Sequence, residues 1–119
     1  MPVDDSVRHW HASPRSAVGF LTHAAAMDTT LLEGRKALNM PGFSCTVAEQ
    51  IEALRRVAGS DAVARIRRRP DAAIARIIGG WPRDFAPSRA RALGFRAEAD
   101  FDAIIRAYVE DDLPPKAPE

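Results

Sequence analysis

One cysteine, one tyrosine and two lysines stand among the 119 residues, and each shortage removes a class of explanation. With Cys45 alone, no internal disulfide can form, and a reducing compartment, the cytoplasm, is expected. The lone tyrosine, Tyr108, is followed four residues later by Asp112, so the sequence holds no Tyr-x-x-x-Lys pair. Its glycines lie at positions 19, 34, 42, 59, 79, 80 and 94, from which neither G-x-G-x-x-G nor a phosphate-binding loop can be assembled. No apolar run approaches the ~20 residues that span a bilayer. The opening MPVDDSVRHW lacks the charged-then-apolar pattern of a secretion signal. A net charge of +1 names no partner, although Arg55, Arg56, Arg65, Arg67, Arg68 and Arg69 cluster against Asp61 alone.

What is present reads as one small globular domain. Hydrophobic residues make up 46%, enough for a core and too many for a disordered chain. A single lobe over residues 1–113 is expected, with a disordered tail over 114–119. Residues 7–12 predict a short strand. Ser13 then caps a helix with Pro14 at its first position, and Ala17, Val18, Leu21, Ala24 and Ala25 form its apolar stripe as far as Met27. Residues 28–34 read as a loop, and Lys36 to Met40 as a short strand closed by Pro41-Gly42. Thr46-Val47-Ala48-Glu49 is a capping box, followed by Val47, Ile51, Leu54 and Ala58 on one helix face, with Gly59 as the stop.

Asp61 to Ala64 predict one helical turn and Arg65 to Arg69 an edge strand. Asp71 caps a short helix carrying Ile74, Ile77 and Ile78. Ser88 caps another helix, Gly94 ends it in the left-handed conformation, and Phe95 packs back on the finished turn. Phe101, Ile104, Ile105 and Tyr108 stripe the last helix. No two of the strands are joined by a hairpin turn, so each needs a partner from elsewhere.

Isolated chemistry is thin. His9 and His11 share a strand face, but a metal site needs at least one further ligand, and no spacing ties in His23 or Cys45. Cys45 is a nucleophile only if a histidine lies beside it in space. The arginine run could meet phosphates, yet no aromatic platform or helix-turn-helix accompanies it.

The order of the pieces is more informative. Arg8-x-Trp10 runs into Ser13-Pro14-Arg15-Ser16-Ala17-Val18-Gly19-Phe20. Lys36 to Gly42 follows, then the Thr46 helix start, then Arg69-Pro70-Asp71, Gly80-Trp81-Pro82 and Ser88 to Phe95. This order, from about Val7 to Leu113, resembles the C-terminal part of the NAD-dependent epimerase/dehydratase family, the extended short-chain dehydrogenases, and within it the D-erythronate dehydrogenase branch. Where many members carry Tyr-Val-x-Asp, this chain has Ala12-Ser13-Pro14-Arg15, which favours a small hydroxy acid over a nucleotide sugar.

The resemblance implies an α+β, helix-rich fold with two or three short strands: the C-terminal substrate lobe plus the last edge strand, Lys36 to Met40, of a Rossmann-like α/β enzyme. It implies NAD as cofactor of a complete enzyme, none held by this chain alone, and no catalytic residue here. It implies substrate-binding roles for His11, Arg15, Arg69 and Asp71 toward a small sugar acid. The expected partner is an N-terminal Rossmann part or a second copy of the chain. Two other readings stand beside it: a non-catalytic assembly module derived from such an enzyme, and a small arginine-rich nucleic-acid binder.

Overall fold

Thr46 anchors the fold. Its hydroxyl accepts the Glu49 amide at 3.2 Å while the Glu49 carboxylate accepts the Thr46 amide at 2.6 Å, so two orphan donors of a helix start are satisfied reciprocally. The computed structural model describes residues 1–114. In chain order these form β1 (Arg8–His11), α1 (Pro14–Ala26), a 3-10 turn (Thr29–Leu32), β2 (Phe43–Thr46), α2 (Val47–Ala58), α3 (Ser60–Ala64), α4 (Ala72–Gly79), α5 (Ser88–Ala92) and α6 (Phe101–Asp111). The fold is helix-rich with a two-stranded antiparallel ribbon, in which Arg8 faces Thr46 and His11 faces Phe43.

The strands differ from expectation in three ways. First, β1 finds its partner within the chain, in Phe43–Thr46, a strand that the sequence pattern did not announce. Second, residues 36–40 form no strand, because no described segment supplies a ladder to them. The Met40 carbonyl instead accepts the Trp10 indole N–H at 3.2 Å, and the chain turns at buried Pro41-Gly42 into β2. Gly42 is obligatory at this approach, since a Cβ there would lie 2.6 Å from both the His11 carbonyl and the Trp10 ring nitrogen. Third, residues 65–69 form no strand. Arg65 and Ile66 bond back to Ala62 and Val63 to finish α3, and beyond them the Arg67 carbonyl and the Arg69 and Asp71 amides bond only the backbone of Met1 and Pro2, a stretch too short to register as a strand.

Two helix expectations also change. Ser88 is the first helical residue rather than the cap, because the Pro87 carbonyl already accepts the Arg91 amide at 3.0 Å. The stripe Ala17, Val18, Leu21, Ala24, Ala25 does not face the protein: Leu21 is 73% and Val18 60% exposed. The inward face of α1 is Ser16, Phe20, His23 and Met27 instead. The Ser13 cap, the Asp71 cap, the α2 boundaries and the Gly59 stop are as read.

The core is small, comprising Cys45, Val47, Ile51, Ala53, Ala90, Phe95 and Ala107. α2 lies against α6, with Arg56 bridging to Asp102 at 2.6 and 3.0 Å. Tyr108, at the end of the α6 stripe, is exposed. The α5 stop is a Schellman motif. The Phe95 amide bonds the Ala90 carbonyl and the Gly94 amide bonds the Arg91 carbonyl, both at 3.1 Å, with Gly94 at φ +93°. Phe95 is thereby thrust inward, 1% exposed, against the edge of His23 at 4.6 Å and Phe20 at 6.4 Å. His23 Nε2–H donates to the Leu93 carbonyl at 2.7 Å, which fastens the end of α1 to this turn.

The start of α1 is fastened by Glu98. Ser13 is 1% exposed; its hydroxyl donates to Glu98 and accepts the Ser16 amide at 3.0 Å, while its own amide reaches Glu98 at 3.2 Å. The assembly is thin, 50 × 42 × 19 Å, and its radius of gyration of 16.9 Å exceeds the about 13.5 Å usual for this length. The expected disorder over 114–119 falls, except for Pro114, outside the described residues.

Two measurements check this packing. Phe95→Ala should destabilise the chain by ~3–5 kcal/mol in urea unfolding, as for other buried aromatics. Burial pushes the Glu98 carboxyl up, but bonds from Ser13, from its own backbone amide and from Ser16 together more than reverse this and hold it below its ordinary value. A depressed carboxylate stabilises above its unfolded pKa and loses that contribution as pH falls through the folded one. Stability should therefore decline below about pH 4.5, and Glu98→Gln should flatten part of that decline. His11, also depressed, contributes higher, as pH falls below its ordinary 6.5, and equally in both proteins.

Candidate functional site

The ribbon carries the chemistry-bearing side chains, because alternation along β1 divides them between two faces. His9 and His11 project on one side with Cys45, the cross-strand partner of His9. Arg8 and Trp10 project on the other. His11 is half-buried, its ring edge-on to Phe101 at 5.3 Å, and the Gln50 amide N–H donates to its Nε2 at 3.0 Å. That bond requires an unprotonated Nε2, in keeping with a pKa lowered by burial and then by His9. His9 has the Trp81 ring 5.7 Å away.

On the opposite face, Arg8 donates to the Ser44 carbonyl at 3.1 Å and pairs with Glu49 at 3.2 Å. The Ser44 hydroxyl donates to the Arg83 carbonyl at 2.7 Å, and Phe85 meets the edge of Trp10 at 5.6 Å. The loop after α4 is thus pinned to the ribbon from both sides.

The four residues read from sequence as substrate-binding do not converge. Arg15 lies in the first turn of α1, exposed, with its guanidinium on Asp111 at 2.7 and 2.8 Å and on Glu110 at 2.8 Å. These carboxylates, Asp111 first, raise its pKa further. His11 packs at the start of α6 and Arg15 pairs at its end, and eleven helical residues separate those points by about 15 Å. Arg69 and Asp71 line a third place, a cavity of about 390 Å³ with Met1, Pro2 and Ile74. The Asp71 carboxylate is occupied there as the α4 cap, accepting the Ala73 and Ile74 amides at 2.9 and 3.0 Å.

Sequence reasoning missed Arg83 and Glu98. Neither sits in a motif, and each acquires meaning only from a residue 39 or 85 positions away. Among the described residues no three His, Cys, Asp or Glu side chains gather as a metal site. Among the described residues the one sheet is antiparallel, so no parallel strand feeds a glycine-rich helix start there. Among the described residues no helix is long and apolar enough to cross a membrane.

Cys45 is 0% exposed, and its pKa is pushed up to about 11, by burial first and by Glu49 second, against a lowering bond from Gln50. The thiolate that a nucleophile needs is absent at neutral pH. Alkylation by iodoacetamide at pH 7.5 should be slow on the folded chain and should accelerate at least tenfold in denaturant.

No family model matches the chain. It is 43% identical over 110 residues to the D-erythronate dehydrogenase of Cupriavidus necator, a match covering 92% of this chain and 34% of that protein. It is 31% identical to the D-erythronate dehydrogenase of Haemophilus influenzae, covering 94% and 36%. The fold superposes with a TM-score of 0.91 on a crystal structure of a nucleoside-diphosphate-sugar epimerase from Agrobacterium tumefaciens, at 56% identity, covering 94% of this chain and 33% of that one. The chain spans about a third of the length of each protein it matches. It is therefore similar, over nearly all its length, to one portion of the D-erythronate dehydrogenases, and its fold fits the C-terminal part of an epimerase/dehydrogenase of that kind.

Proposed function

We propose that this chain is the substrate-binding portion of an NAD-dependent sugar-acid dehydrogenase acting on D-erythronate or a close relative. The 43% identity over 92% of the chain to a protein of that name carries the reading. The sequence has neither a dinucleotide-binding glycine loop nor a Tyr-x-x-x-Lys pair. Hydride transfer would accordingly depend on residues outside this sequence. NAD would supply the hydride acceptor, held elsewhere; the part played here would be to bind and orient the acid.

Of the four candidates, Arg69 and His11 retain the most freedom for that role. Among the described residues Arg69 has no ion pair. His11 presents a neutral ring on the ribbon. Arg15 would first have to leave Asp111 and Glu110, and Asp71 would have to leave its helix cap.

A second reading, as an assembly module, draws on α1. Pro14, Val18, Leu21 and Ala25 recur at i, i+4, i+7 and i+11, so they line one outward face, and all are exposed. With Phe20 and Met27 on the inward side, α1 is apolar on two opposite faces, the pattern of a helix covered on both. The two readings are compatible: the cover would be the cofactor-binding part of the enzyme.

Calorimetric titration of the chain should show D-erythronate binding in preference to a nucleoside-diphosphate sugar. The same chain mixed with NAD and D-erythronate should give no NADH absorbance. Preference for the nucleotide sugar, or turnover by the chain alone, would overturn the reading.

A further inference from the structure

Gln50 is the fourth residue of α2, so the capping box that starts this helix also fixes where Gln50 lies. Its half-buried amide reaches across to β1 and donates to His11 Nε2 at 3.0 Å. Gln50 also bonds the Cys45 sulfur and lowers the pKa of that thiol, which is the sign of a donor. The amide nitrogen therefore faces two acceptors, and the amide oxygen could serve neither.

The His11 ring is held as well. Phe101, the first residue of α6, meets it at 5.3 Å with the ring planes 82° apart, and His9 flanks it on the ribbon at 6.2 Å. Charged groups on the neighbouring elements are spent elsewhere: Arg8 and Glu49 on each other, Asp102 on Arg56, Asp100 on the α6 cap and Glu98 on Ser13. Among the described residues no carboxylate pairs with His11. Burial and the neighbouring His9 then keep the ring neutral at pH 7.5.

A neutral imidazole carries one N–H. With Nε2 accepting, that proton is on Nδ1, opposite to the tautomer that an unconstrained histidine favours in water. Nδ1 itself has no hydrogen-bond partner among the described residues, and no buried side-chain nitrogen or oxygen there lacks one. Nδ1 is thus at the surface, a fixed donor with nothing to receive its proton.

We infer that Gln50 is a positioning residue, which locks His11 as its Nδ1–H tautomer, and that this Nδ1–H is a specificity contact for a hydroxyl of a small polyhydroxy acid. The lock follows from bonds within this chain; the choice of ligand rests on the function proposed above. A neutral donor suits a hydroxyl, because it sets direction without favouring charge, whereas a carboxylate or phosphate draws charge-assisted bonds from arginine.

The test is nitrogen NMR of the 119-residue chain with labelled histidine at pH 7.5, where long-range proton–nitrogen couplings tell Nδ1–H from Nε2–H. The chain has three histidines, and His11→Phe assigns the signal. His11 should be the Nδ1–H tautomer. Gln50→Met, which keeps the length and loses the donor, should return it to the mixture seen in water. D-erythronate and erythritol, a four-carbon polyol without a charge, should move the Nδ1 resonance, and acetate should not. By calorimetry, Gln50→Met should weaken D-erythronate about fivefold, the worth of one neutral hydrogen bond, and His11→Phe at least as much. The double variant should lose no more than His11→Phe alone, because Gln50 acts only through His11. Thermal unfolding checks that each variant is folded.

An Nε2–H tautomer or an imidazolium in the wild-type chain overturns the inference. Additive losses in the double variant, no shift of Nδ1 at millimolar ligand, or D-erythronate binding that ignores His11 overturn the specificity role, and the last of these leaves the proposed function standing. Acetate moving Nδ1 as far as D-erythronate overturns the assignment to a hydroxyl. A locked His11 that answers to erythritol, with D-erythronate bound no better, supports the donor and sinks the sugar-acid function.

Discussion

A buried serine fixes how the two ends of the chain meet. Ser13 accepts the amide of Ser16 and so starts α1, while its hydroxyl and amide are both spent on Glu98. One side chain thereby satisfies a helix N-terminus and ties it to the loop before α6. Because Ser13 follows β1 by a single residue, the same contact sets where the ribbon stops. Phe95 and His23 repeat the fastening at the other end of α1, where an aromatic edge and a carbonyl bond close on the α5 stop. Arg15 adds a third tie, exposed and screened by solvent, from α1 to the end of α6.

These ties hold α1 by one side only. Its inward residues meet the hairpin of α5 and α6, and its outward residues meet water. An isolated domain of this length would gather its helices around one core; this one spreads to a slab with a depth of 19 Å. The same feature accounts for the short inventory of buried side chains. Apolar residues that would fill a second layer of core are on the surface, in α1 and again in Ile77 of α4 and Trp81 just beyond it. The proteins it matches are about three times longer.

Local chemistry was legible in the sequence and distant pairing was not. The capping box at Thr46, the Ser13-Pro14 start, the Asp71 cap and the Leu93-Gly94-Phe95 stop are encoded within four or five residues and appear as read. Strands are different, because a strand exists only by virtue of its neighbour. Lys36 to Met40 finds no partner among the described residues, whereas Phe43 to Thr46, short and half polar, pairs with β1 because the Gly42 approach brings it there. The stripe of α1 was recognised, but its direction could not be, since both faces are apolar. The order of motifs identified the kind of protein better than it located a site: His11 and Arg15 lie at opposite ends of α6. The bond from Ser44 to the Arg83 carbonyl was hidden because it depends on a loop folding back onto the ribbon, which no local pattern records.

The Ser13–Glu98 contact joins positions 85 residues apart. At the ~5–20 residues per second of protein synthesis, the start of α1 leaves the ribosome some 4 to 17 seconds before the carboxylate that will hold it. During that wait the helix lacks its inward cover, which residues 93–98 supply. Phe20 and Met27 are then available to a chaperone or a neighbouring nascent chain, and this exposure ends only once residues 95–98 have been made.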